Sequence, residues 1–125
     1  TATYTPMVYA LGGFDILYDA VNSFPGDASV QMSAWRGFSD HAHTSLGAAI
    51  ISNLGGYNKG IPWLMEKLRA HPDAHYGVSL DSLDCHYEIL QVVNGMLGVD
   101  YLNVYAPVFM TEGIFDLLAH AMDVD

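Results

Sequence analysis

The chain has a single cysteine, Cys85, so it holds no internal disulfide and no cysteine-rich zinc module. Basic residues are scarce, four against 14 acids, for a formal net charge of −10. A surface with that imbalance repels phosphates, which disfavours nucleic acid and anionic membrane as partners. Apolar runs are short, as in Ala48-Ala49-Ile50-Ile51, and none would span a bilayer. A Gly-rich phosphate loop, the HExxH pattern and a serine set in a nucleophile elbow are all missing, so no enzyme class announces itself. Sustained alternation of apolar and polar residues is missing too, so strands are not expected.

What remains is a chain of 125 residues with 51% apolar and 14% charged side chains, enough for one domain over 1–125 with one core. Met7, Leu11, Phe14, Leu17 with Tyr18, Val21 and Phe24 recur at the helical period and predict a helix over 7–24. Pro6 suits its first turn, and Phe24-Pro25-Gly26-Asp27 ends it. Gly12-Gly13 inside that stretch costs about 1 kcal/mol each relative to alanine unless something packs close. A second helix is predicted over 33–54, with Trp35, Phe38, Ala42, Ser45, Leu46, Ala49 and Ile50 on its inner stripe. The breaker cluster from Gly55 to Gly60 stops it. A short third helix runs from Trp63 to about His71 and closes at Pro72-Asp73. The fourth, capped by Ser79 or Asp81, turns Leu80, Leu83, Tyr87, Leu90, Val93 or Asn94, and Leu97 inward and ends at Gly98. The fifth, over 100–122, carries Val104, Val108, Phe115, Leu118 and Met122, with Pro107 in its second turn. The fold class is all-α.

Six histidines stand out in so weakly charged a chain. His41 falls on the inner stripe of the second helix, where it either donates a hydrogen bond toward a buried ligand or is a core histidine satisfied by a backbone carbonyl. His43 lies about 200° further round, so the two cannot chelate one metal from a regular helix. His71 ends the third helix, and a neutral imidazole there can bind a metal through one nitrogen while the other donates to the preceding turn. His75 would share its face only if the helix ran through Pro72, and no carboxylate stands ready to complete a zinc site. Cys85 and Met7, Met65, Met96 and Met122 read as apolar core filler, and the acids as solvated surface.

In order and content these segments resemble a globin, of the kind found in insect larvae and annelids, over roughly residues 14–122. Ile16-Leu17-Tyr18 followed by Phe24-Pro25 is similar to the B helix entering the C turn. Phe38-Ser39-Asp40-His41-Ala42, then Leu46-Gly47, resembles the E helix with its distal histidine. Leu64-Met65-Glu66-Lys67-Leu68-Arg69-Ala70-His71 resembles the F helix ending in the proximal histidine, and His75-Tyr76-Gly77-Val78 the FG corner. The resemblance implies a globin-like helical sandwich abbreviated at the N-terminus, because the family's first helix has no counterpart and the CD region is short.

It further implies haem b, held by an axial nitrogen of His71, with His41 across the porphyrin as a hydrogen-bond donor to O₂. Leu17, Phe38, Leu46, Leu68, Val78 and Leu83 would line the slot, and His75 would meet a propionate. Ser45 stands at a distal position usually aliphatic in the family, Lys67 where leucine is usual, and Pro72 directly after the proximal histidine is unusual. The implied function is reversible binding of O₂ and other diatomic gases for transport or storage, without enzymatic turnover. Rival readings are a peroxidase-like or NO dioxygenase activity on the same scaffold, suggested by Ser45, and a haem-free sensor or interaction module. The missing first helix would bare an apolar face, so self-association or a partner subunit is expected. The acidic surface suits a carrier kept concentrated in an extracellular body fluid.

Overall fold

The computed structural model describes residues 4–70 and 80–117, with side chains given for all of them except 80–84. Among the described residues there is no strand, and the chain is all-α. No described helix is long and apolar enough to cross a membrane.

The first predicted helix is two helices, α1 (Thr5–Ala10) and α2 (Gly13–Ser23). The two glycines between them do different things. Gly12 has φ +77°, a left-handed backbone that glycine adopts freely, and it breaks the helix. A Cβ on Gly13 would meet Val8 Cγ1 at 2.5 Å, so its bare Cα lets α1 fold back on α2. The elbow rotates the apolar stripe. Phe14 and Val21 enter the core and Leu17 and Tyr18 pack half-buried on it, while Met7, Leu11 and Phe24 are exposed, contrary to the reading of a continuous face.

After the Phe24–Asp27 turn, α3 (Ala28–Ala42) starts five residues earlier than the spacing predicts, because the Asp27 carboxylate caps it by accepting from Val30 N–H at 3.1 Å. Gln31, fully buried, donates its amide to the carbonyls of Val21 and Phe24, both at 2.9 Å. It thereby satisfies acceptors freed at the end of α2, and its own oxygen accepts from Trp35 Nε1 at 3.3 Å.

The predicted helix over 33–54 is also broken. The α3 helix stops at His43, and Thr44 caps α4 (Ser45–Ser52) by accepting from Gly47 N–H at 3.0 Å while donating to the His41 carbonyl at 2.8 Å. A Cβ on Gly47 would collide with that same carbonyl, so the tight reversal needs glycine. The turn shifts the buried face by one helical step: Ala48 and Ile51 fill the core, and Ser45 and Leu46 are exposed rather than on an inner stripe.

The short helix α5 (Gly60–Ala70) buries Ile61, Trp63, Leu64, Met65 and Leu68. The long helix α6 (Leu80–Gly98) turns Ile89, Val92, Val93 and Met96 inward. Tyr87 and Leu97, expected inside, are exposed; a Cβ on Gly95 would lie 3.0 Å from the backbone of Ala42, and this close crossing goes with the face of α6 that meets α3. The expected fifth helix does not start at residue 100. Asp100 stays outside it and its carboxylate gathers the N–H groups of Val104 at 2.7 Å, Tyr105 at 3.0 Å and Ala106 at 2.9 Å. Only then does α7 (Ala106–Thr111) begin, with Pro107 in its first turn, before Gly113 at φ +88° breaks it and a further helical turn follows at 114–117. Phe109 and Ile114 are buried, while Val104 and Phe115, expected inside, are exposed. Leu118 and Met122 lie outside the described residues.

The core gathers around α3, which lies mainly against α6 and α2. Its centre is aromatic: Trp35, Phe38 and Trp63 sit with ring centroids 5.2–5.8 Å apart, and Phe14 approaches Phe38 at 6.4 Å. Trp63 also donates its indole N–H to Asn22 at 2.9 Å, which ties α5 to α2.

Candidate functional site

The most unusual polar group of the described core is the imidazole of His41. It sits in the last turn of α3, 9% exposed. Its Nδ1 lies 2.8 Å from Thr5 Oγ1 on α1, and the Phe14 ring of α2 stands edge-on to it at 5.4 Å. Three helices thus converge on one ring. Burial pushes its pKa below the ordinary histidine value of 6.5, and Asp40 opposes that push only in part, so the ring is neutral at neutral pH. His43, two residues on, is exposed, in line with the 200° separation.

The other residues singled out by the resemblance divide into three groups. Phe38 and Leu68 are fully buried and apolar. Leu17 is half-buried and presses on Gly37, where a Cβ would lie 2.9 Å from Leu17 Cδ1, so α2 and α3 cross closely beneath His41's helix turn. Ser45 and Leu46 face outward on α4, Leu46 being 41% exposed, because the Thr44 cap rotates that helix. His71, His75 and Val78 lie outside the described residues, as does the side chain of Leu83. The α5 helix is described to Ala70, immediately before position 71 in sequence.

Two functional-looking residues escaped the sequence reading. Thr5 carries no local signal, since its partner is 36 residues away. His86, counted among the six histidines but given no place, is buried on α6 beside Cys85. No group of three or more potential metal ligands is found among the described residues.

Among the clefts open on the described surface are three of note. One of about 590 Å³ runs between α3 and α6, with Glu88 taking a hydrogen bond from Ser39 at 3.1 Å and standing 3.9 Å from Arg36. One of about 780 Å³ lies at the start of α3, and a small one of about 70 Å³ lies between Ile61 and Tyr105. Neither His41 nor Phe38 nor Leu68 lines any of the three.

A porphyrin needs an axial base, apolar walls and, for O₂, a neutral donor opposite the base. The described residues fit part of that set: His41 is a buried neutral imidazole, and Phe38 and Leu68 are apolar. Ser45 and Leu46 do not belong to it as placed. Comparison of the chain with protein-family models, with curated proteins and with solved structures returned no match. The globin resemblance therefore stands on the sequence stretches alone.

Proposed function

We propose that the chain is a haem-binding domain of globin type that takes up O₂ reversibly, with His71 supplying the axial nitrogen and His41 the donor on the opposite side. The observation that carries the reading is the buried imidazole of His41, placed at a helix end where three helices meet. Thr5 satisfies the Nδ1 side of the ring, so a ligand would be met by the other nitrogen. When bound, haem b supplies the iron that coordinates the gas.

The chain's own part follows from its residues. With haem bound, Phe38 and Leu68 would supply apolar contact, and His41, uncharged, would offer a ring N–H to a polarised ligand without bringing a positive charge beside it. His75 would meet a propionate in a chain with only four lysines and arginines. An acidic surface of net charge −10 suits a carrier held at high concentration in a body fluid, and the outward Tyr4, Met7 and Leu11 suit contact with a second subunit.

A haem-free helical module is the second reading, and it is favoured by the way Trp35, Phe38 and Trp63 close on one another with no space between them. No observation favours peroxidase or NO dioxygenase chemistry, because Ser45, which suggested it, is exposed. One spectrum separates the two live readings. The purified chain, reduced and exposed to CO, is expected to show a Soret band that disappears in His71→Gly; a colourless chain that takes up no added haemin leaves the haem-free module.

A further inference from the structure

A neutral imidazole carries one proton on one of two nitrogens, and the partner of either nitrogen selects the tautomer. In His41 the Nδ1 side is taken by Thr5 Oγ1, with Thr5 itself only 1% exposed. The separation of 2.8 Å is a hydrogen bond whichever of the two atoms carries the proton. A bare imidazole nitrogen is also a better acceptor than a hydroxyl oxygen, so the pairing of hydroxyl to ring nitrogen is the stronger of the two arrangements. Phe14 holds the ring from the side, edge-on at 5.4 Å, and the docking of α1 through the Gly12-Gly13 elbow keeps Thr5 in reach.

We propose that the Thr5 hydroxyl donates to Nδ1 and holds His41 as the tautomer protonated on Nε2, which makes Thr5 a positioning residue for whatever His41 donates to. The use of that proton toward a bound gas rests on the function proposed above; the tautomer does not. Nε2–H is a donor, whereas the opposite tautomer would present a lone pair that repels an electron-rich ligand. The N-terminal helix thus sets the chemical character of a histidine 36 residues away, and a change at position 5 would convert a donor into a mixture of donor and acceptor.

The test is a two-bond ¹⁵N–¹H correlation spectrum of the full chain, recorded reduced and under CO so that any bound iron is diamagnetic. His41 is expected to show its proton on Nε2 in the wild type and in Thr5→Ser, and a mixed population in Thr5→Val. If the chain binds haem, Thr5→Val is also expected to release O₂ several-fold faster, with Thr5→Ser restoring the slow rate. A wild-type His41 protonated on Nδ1 overturns the proposal without recourse to any variant. So does a Thr5→Val chain, folded by its amide spectrum, whose tautomer is unchanged. A colourless chain with the Nε2–H signature would instead overturn the haem reading and leave the Thr5 assignment standing.

Discussion

The α3 helix meets its neighbours in two unlike ways. Where it faces α5 it is aromatic and largely dry, with Trp35 and Phe38 against Trp63 and only the two indole N–H groups turned to polar partners, Gln31 and Asn22. Where α1 and α2 cross its last turn it buries an imidazole, a threonine hydroxyl and the carbonyl that Thr44 caps. The first region is held by area removed from water, which tolerates exchange among residues of similar volume. The second is held by direction, because each polar atom there needs a particular partner at a particular angle. The difference teaches where to look for function: the dry side explains why the chain folds, and the polar end is where one specific group is held by one specific partner.

The largest effect is expected on the dry side. Phe38→Ala removes a fully buried ring and is expected to destabilise the fold by about 3–5 kcal/mol, read as a lower urea midpoint with little change in slope. A loss under about 1 kcal/mol would mean that the aromatic cluster can collapse and is not the packed centre described.

At the polar end a pH dependence should appear. His41 has a pKa lowered in the folded state by burial, so the unfolded chain binds its proton more readily. Its contribution is therefore intact above pH 6.5 and is lost progressively as pH falls from there through the lowered folded value. His41→Phe should flatten stability in that window; an unchanged slope would show that the ring is accessible to protons in the native state.

The smallest effect is expected at Asp100, which belongs to neither region and serves to separate their titrations. Burial works against its charge, but the N–H groups of Ala106, Tyr105 and Val104 outweigh it and hold its carboxyl below the ordinary 3.8. That stabilisation is present above the ordinary value and disappears as pH falls through the depressed one. Asp100→Ala should cost about 1 kcal/mol at neutral pH, as loss of a helix cap does, and remove only the slope at strongly acid pH. A change in the His41 window would mean that the two ends are coupled.

The elements themselves were readable because apolar spacing of three and four survives in almost any packing. Leu80–Gly98 falls within a residue or so of the predicted helix and Gly60–Ala70 starts three residues before its expected Trp63, and Phe14, Val21, Trp35, Phe38, Val93 and Val108 lie inside or against the core as their spacing suggests. The breaks were not readable. Nothing in the string at Leu11-Gly12 or at His43-Thr44 says that a continuous stripe will be cut and turned, because the gain that pays for each cut lies in another helix: Val8 on Gly13, and the His41 carbonyl on Thr44 and Gly47. Ser45, Leu46, Met7 and Leu11 were misplaced for that reason. His41 was visible as an oddity on an apolar face, whereas Thr5, its partner, was not visible at all.

The sequence by itself determined that this chain is helical, that it is acidic, and that a histidine would be forced inward on the same face as Phe38, since all three follow from composition and local period. Only the tertiary structure decided which side chains share the interior after each helix turns, and which atom meets the ring of His41. Those choices depend on contacts between residues dozens of positions apart, and a one-dimensional pattern carries no record of distance in space.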